Sequence, residues 1–163
     1  MDEKLNHLKW ILVDQIVDLT TATTAIREHL AGENFDPASQ KTISYFRMCT
    51  TSLIVSLSKL WEALNHYGKE INSFPEDVKL SCRRLKAEIE SRKIYQFRSK
   101  YAAHIIDDET KQPLSLKEGE KRYSAIVGST IGELTAFCEW IVPENFGEAA
   151  GSVMHTVVTT RDY

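Results

Sequence analysis

Apolar residues recur at helical spacing through most of this chain. In residues 3–31 the intervals are three, four or seven, and the repeating residues are Leu5, Leu8, Leu12, Ile16, Leu19, Ile26 and Leu30. This spacing places them on one face of a long amphipathic helix. Gly32 follows as a C-terminal cap. Trp10 lies off this face, and we expect it to make a second contact, for which a partner subunit is one candidate.

Three more helical segments follow. The second begins at Asp36, a good N-cap with Pro37 in the first turn, and continues to about His66. Within it, Ser56, Ser58 and Glu62 form either a polar strip that faces a site or an ordinary solvated face. The third segment starts with the capping-box spacing of SFPE at 73–76, and the fourth spans SLKE at 115–118 to Ile141.

The apolar pattern of the third segment breaks between Glu90 and Lys93 before it resumes at Ile94. Such a break indicates either a kink or a switch of packing partner, or else a helix with two buried faces, and these interpretations stay open. Gly128 and Gly132 interrupt the fourth segment, where they either permit close approach of another helix or cost stability.

Residues 1–142 contain no strand pattern, and 163 residues suit one domain. We therefore predict an all-α fold, an antiparallel four-helix, up-and-down bundle over 1–142. Residues 143–163 are predicted to be a C-terminal tail, mobile or edge-packed, whose last part has a strand-like composition.

The composition excludes several classes of function. A net charge of -3 gives no global attraction to nucleic acid or an anionic membrane, so any RNA contact must be local. The chain begins MDEK and has no apolar run of membrane-spanning length, so we expect no signal peptide, no membrane partner and a cytoplasmic location. Three cysteines without CxxC spacing predict no metal, and nothing indicates a cofactor.

The stretch KIYQFRSKYAAHIIDD at 93–108 carries the candidate chemistry. On an ideal helix, Arg98 and His104 lie about 60° to either side of an apolar stripe. This stripe consists of Ile94, Phe97, Tyr101 and Ile105. Residues 79–100 hold eight of the 20 Lys and Arg residues, the strongest basic concentration in an acidic chain.

An Arg followed after five residues by a His, late in the third helix of a bundle, resembles the HEPN superfamily. The RSKxxAH context, with Lys100 and Ala103, is similar to HEPN-like proteins of abortive-infection and toxin–antitoxin systems. This resemblance implies a metal-independent endoribonuclease that acts as a toxin or phage-defence effector. It also implies a homodimer that brings two motifs into one cleft, and cleavage by the neighbouring 2′-OH to leave a cyclic phosphate.

By position in that motif, Arg98 and His104 are the catalytic residues. Arg98 would bind the scissile phosphate and His104 would act as general acid or base, and guanidinium and imidazole suit these roles. His104 lies six positions after Arg98, which on a straight helix places the two residues about 9 Å apart along the axis and about 120° apart around it, and this favours a site shared between two subunits.

Ser99, Lys100 and Asp107 complete the candidate substrate-binding set. Lys100 could contact a second phosphate and Asp107 could orient the His104 imidazole; the alternative for both is a solvated surface charge. Ser99 stands where many family members have Asn. Ile106 stands where toxins modified by a nucleotidyltransferase carry Tyr, so the motif does not favour an adenylylating antitoxin, although an antitoxin protein of another kind is an expected partner.

Two other hypotheses remain at this stage. One is a non-catalytic HEPN-like dimeric binding module for a nucleotide, RNA or protein partner. The other is an unrelated helical interaction protein, in which Arg98 is a surface cation and His104 a helix-edge residue.

Overall fold

Eight helices make up the part of the chain that this computed structural model describes, which is residues 3–99, 115–145 and 150–163. The helices are α1 Glu3–Leu30, α2 Gln40–His66, α3 Gly68–Ile71, α4 Glu76–Ser91, α5 Ile94–Phe97, α6 Leu116–Val127, α7 Ile131–Ile141 and α8 Val153–Asp162. The all-α class is confirmed, but a four-helix bundle is not, because the described ranges already contain eight helices. None of these helices combines the length and the apolar character needed to cross a bilayer.

The core lies mainly between the two longest helices, α1 and α2. Apolar side chains at helical spacing on both helices are fully buried, among them Leu8, Leu12, Leu19, Ile26, Leu53, Leu57 and Leu60. The α1 stripe predicted from sequence therefore faces this core, whereas Trp10 lies outside it and is 70% exposed.

The start of α2 differs from the prediction by one turn. Ser39 is the N-cap, and its Oγ accepts a hydrogen bond from the Thr42 N–H at 3.1 Å. Asp36 instead accepts from the Ala38 N–H at 2.9 Å, which closes the turn before the helix. The prediction of Asp36 as the N-cap is therefore wrong, although serine and aspartate are both good capping residues.

The third predicted helix is two helices, and the kink interpretation is confirmed. α4 ends at Ser91 and α5 begins at Ile94, with Lys93 between them at a φ of 57°. A non-glycine residue in this left-handed conformation ends the regular helix and redirects the chain. The capping box predicted from Ser73 to Glu76 is wrong: Pro75 is the N-cap, and the Ser73 hydroxyl donates to the Glu70 carbonyl at 2.6 Å.

The fourth predicted helix is also divided. α6 ends at Val127 with Gly128 as its C-cap at a φ of 98°, and α7 starts with a capping box between Thr130 and Glu133. A Cβ at position 128 would lie 2.2 Å from the Glu133 Cβ. Gly128 therefore neither packs two helices together nor weakens one, but permits the turn between α6 and α7.

The strand-like interpretation of the last residues is wrong, because residues 153–162 form α8. This helix packs against α1 and α4 with Val153, Met154 and Val157 buried. The Thr156 and Thr160 hydroxyls donate to backbone carbonyls one turn earlier, at 3.2 and 2.6 Å. Burial against two helices thus outweighs the weak helix preference of valine and threonine.

Candidate functional site

The break at Lys93 positions the described part of the predicted site. Arg98 is the C-cap of α5, directly after the short helix that follows the break, and Ser99 comes next. His104, Lys100 and Asp107 lie outside the described residues. Their positions and roles remain predictions.

Arg98 contacts Glu62 of α2. The Nη1 and Oε1 atoms lie 3.4 Å apart, and the side chains are 35% and 44% exposed. The contact links α5 to the long helix beneath it. An ion pair with this much exposure is screened by water and contributes at most about 1 kcal/mol to stability.

The polar residues predicted together on α2 do not share one environment. Ser56 and Ser58 are buried, and the Ser58 hydroxyl donates to the Ile54 carbonyl at 2.9 Å. Only Glu62 reaches the Arg98 region. Neither the polar strip nor the solvated face therefore describes the two buried serines, and the Ser58 hydroxyl is hydrogen-bonded within its own helix.

Two aromatic rings lie beside this ion pair. Trp61 and Tyr95 stack with ring centroids 4.4 Å apart and an angle of 33° between their planes. The Trp61 indole N–H donates to Glu90 Oε1 at 2.9 Å, which links α2 to the end of α4. No sequence pattern indicated this pair, because Trp61 and Tyr95 are distant in sequence and come together only where α5 packs on α2.

The Ser99 hydroxyl is used locally, since it donates to the Gln96 carbonyl at 3.2 Å. Its oxygen keeps lone pairs that could accept a hydrogen bond from a ligand. A role as a donor to phosphate would require this local bond to break.

Acidic neighbours partly neutralise the basic residues of α4. Lys79 lies 2.6 Å from Glu76, and this hydrogen bond lowers the pKa of the Glu76 carboxyl. Arg92 lies 2.8 Å from Glu88 and also covers the Trp140 ring, 4.1 Å from its centroid. The local positive field is therefore weaker than the count of Lys and Arg suggested.

A groove of about 950 Å³ lies between α1 and α2 and extends to this region. Trp61 and Glu62 line the α2 side, so the residues that contact Tyr95 and Arg98 also form part of the groove wall. Gln15 lines the α1 side and is 2% exposed. The sequence pattern gave no sign of this groove, because helical spacing identifies faces and not the gaps between packed helices.

Comparison with known proteins gives a fold but no family. No family model matches the chain. No curated protein matches it either. The chain is similar to the solved structure of integron cassette protein Vpc_cass2 from the mobile metagenome of V. paracholerae, with a TM-score of 0.78 and 23% sequence identity. The match covers 99% of this chain and 96% of that one. At this identity the likeness concerns the fold alone.

Proposed function

We propose that the protein is a metal-independent endoribonuclease of the HEPN type that acts as a toxin or phage-defence effector. The sequence support is the Arg98–His104 motif in its RSKxxAH context. The structural observation that carries the proposal is the position of Arg98, beyond the break at Lys93 and beside the stacked Trp61–Tyr95 pair. A guanidinium near half-buried aromatic rings suits a ligand that has both phosphates and bases.

The proposed reaction is an internal transfer on RNA. A base removes the proton from the ribose 2′-OH, and the oxygen attacks the adjacent phosphorus. The bond from phosphorus to the 5′ oxygen breaks, the leaving oxygen receives a proton, and a 2′,3′-cyclic phosphate remains. His104 supplies one of these proton transfers, and Arg98 stabilises the charge on the phosphate oxygens.

The proposed assembly is a homodimer in which the motifs of two subunits meet in one cleft. Lys100 then contacts a second phosphate, and Asp107 orients His104. Toxicity would require neutralisation by a cognate antitoxin protein, which is the second proposed partner beside RNA.

The experiment is cleavage of a mixed tRNA and mRNA pool in EDTA. Wild type is compared with Arg98→Ala and His104→Ala, and the product ends are analysed for cyclic phosphate. Matched controls are Arg83→Ala, an exposed cation on α4, and His155→Ala on α8. The proposal expects cutting by wild type and both controls, and loss of cutting of about 100-fold or more in the two motif variants.

Equal cutting by wild type and His104→Ala would show a contaminating nuclease or different chemistry, and would reject the proposed role of His104. Loss of cutting on addition of EDTA would reject the metal-independent mechanism.

A second candidate, a non-catalytic HEPN-like binding module, is favoured by the Glu62–Arg98 contact. A guanidinium that already has a carboxylate partner 3.4 Å away must exchange it for phosphate. In a module that only binds a nucleotide, RNA or protein, this competition lowers the affinity for that ligand, and there is no catalytic rate for it to lower. Wild type that binds RNA without cutting it, with binding retained in both motif variants, would support this candidate.

A further inference from the structure

The groove between α1 and α2 contains a buried polar atom without a partner. Gln15 lines the groove and is 2% exposed, and its Oε1 has no hydrogen-bond partner among the described residues. Leaving a buried acceptor unsatisfied costs about 1–3 kcal/mol. A protein that keeps such an atom at the edge of a groove has an acceptor ready for a ligand donor.

The charges around Gln15 select the kind of donor. Three carboxylates, Asp14, Asp18 and Glu62, line the same groove. Asp18 is 4.0 Å from Lys59, and Glu62 contacts Arg98, while Asp14 is exposed and has no ion pair within the described ranges. The negative charge of these three carboxylates is therefore not fully neutralised by the neighbouring cations Lys59 and Arg98.

The groove also has room and apolar surface for an alkyl chain. Ile11 and Ala63 lie in its lining, and its volume of about 950 Å³ is ample for a small organic molecule. Asp14 and Asp18 are four residues apart on α1, so their side chains are neighbours about 6 Å apart on one face. Glu62 provides a carboxylate from the opposite helix.

We propose that this groove binds a short linear polyamine, with its ammonium groups at Asp14, Asp18 and Glu62 and one N–H donated to Gln15. The methylene segments pack on Ile11 and Ala63. A quaternary ammonium has the charge but no N–H, so it cannot satisfy the Gln15 acceptor and binds more weakly. This site requires neither the proposed nuclease activity nor any residue of the Arg98–His104 motif as a ligand.

Spermidine binding, measured by isothermal titration calorimetry in about 0.15 M salt to screen long-range attraction, tests the proposal. Wild type should bind one spermidine per chain, and tetramethylammonium should bind at least about tenfold more weakly. Asp14→Asn should weaken spermidine binding by about tenfold. Glu120→Gln, a matched exposed acid on α6, should leave it unchanged.

Two further variants separate binding from folding. Gln15→Leu should weaken spermidine binding about tenfold while the melting temperature stays equal or rises, because it removes an unsatisfied buried polar atom. Lys59→Met should tighten binding, since it removes a competing cation from Asp18. If Gln15→Leu does not fold, Asp14→Asn still tests spermidine binding at this groove, because the Asp14 side chain is exposed.

Absence of spermidine binding to wild type would overturn the proposal. So would equal affinity for tetramethylammonium, or equal losses in Asp14→Asn and Glu120→Gln. Because the readout is binding and not cleavage, failure here leaves the nuclease proposal intact, and failure of RNA cleavage leaves this one intact.

Discussion

Glu62 of α2 contacts Arg98, which lies at the end of α5 beyond the break in the third predicted helix, with 3.4 Å between Oε1 and Nη1. The same carboxylate lines the groove between α1 and α2. Glu62 thus contacts Arg98, the candidate phosphate-binding residue, and also lines the groove. Its negative charge therefore affects the electrostatic field at both places.

Glu62→Gln should tighten RNA binding by about two- to fivefold, because it removes a competing negative charge from Arg98. The free energy of unfolding should change by less than about 1 kcal/mol, since the pair is substantially exposed. Fluorescence anisotropy with a 2′-O-methyl RNA, which cannot be cleaved by its own 2′-OH, measures the affinity without turnover.

Glu120→Gln is the control for a general loss of negative charge. The effect of Glu62→Gln should vanish in an Arg98→Ala background, as a double-mutant cycle requires for a direct interaction. An equal effect in both backgrounds would show that Glu62 does not act through Arg98.

Lys93→Gly should raise the free energy of unfolding by about 0.5–1 kcal/mol, because glycine adopts the φ of 57° without steric cost. Lys93→Val should lower it by about 1–2 kcal/mol, since a β-branched side chain is strained there. Lys86→Gly in the interior of α4 is the opposite control and should cost about 1 kcal/mol. Urea denaturation measures all three, and equal losses for both glycine variants would contradict the importance of the break.

Gly128→Ala should lower the free energy of unfolding by about 2–4 kcal/mol, because strain at a φ of 98° combines with collision of the new Cβ with Glu133. Gly151→Ala is a matched control, since its φ is 92° and no atom lies within 4 Å of the new Cβ. The free energy of unfolding of Gly151→Ala should fall by about 1–2 kcal/mol, which is the loss from backbone strain alone. Similar losses in the two variants, measured by thermal or urea denaturation, would mean that the contact with Glu133 relaxes at no cost.

The protein should lose stability as pH rises from about 9 to about 11. Burial raises the pKa of the Cys138 thiol from its ordinary value of 9.0 to about 11. Above pH 9 the unfolded chain releases this proton and the folded chain keeps it, so the free energy of unfolding falls by up to about 1.4 kcal/mol per pH unit. Burial also raises the pKa of Tyr123 above its ordinary value of 10.0. This shift likewise lowers the free energy of unfolding once the pH rises above that ordinary value.

Cys138→Ala should reduce this slope, as measured by urea denaturation at several pH values. Val158→Ala removes a partly buried apolar group that does not titrate, and should lower stability without changing the slope. An unchanged slope in Cys138→Ala would exclude the thiol as its source.

Sequence periodicity predicted the long helices well because burial of one apolar face determines them. The α1 stripe and the break near Lys93 both followed from the spacing of apolar residues. The sequence predicted less well where several residues satisfy the same local rule. Asp36 and Ser39 are both good capping residues, and each accepts a hydrogen bond from a backbone N–H, but Ser39 caps the helix while Asp36 closes the turn before it.

Tertiary contacts explain the remaining differences. Residues 153–162 have modest helix preference and become helical against α1 and α4. At the site, the motif indicated Arg98 and Ser99, and the polar pattern of α2 placed Glu62 toward either a site or solvent, but neither indicated Trp61 or Gln15. Those residues have roles only because α2 packs beside α1 and α5, and no local pattern encodes that arrangement.

The packing of α8 against α1 has a consequence for how the protein is made. α1 ends at Leu30 and α8 begins at Val153, so these contacts join the most distant helices in the described chain. The chain must close this long loop before the buried contacts between α1 and α8 can stabilise it, and this requirement slows folding. During synthesis, α1 and α2 can pair early, but the buried side chains that meet α8 stay exposed until the ribosome has released residue 162. Chaperone binding to the nascent chain should therefore persist until residues 153–162 have left the ribosome.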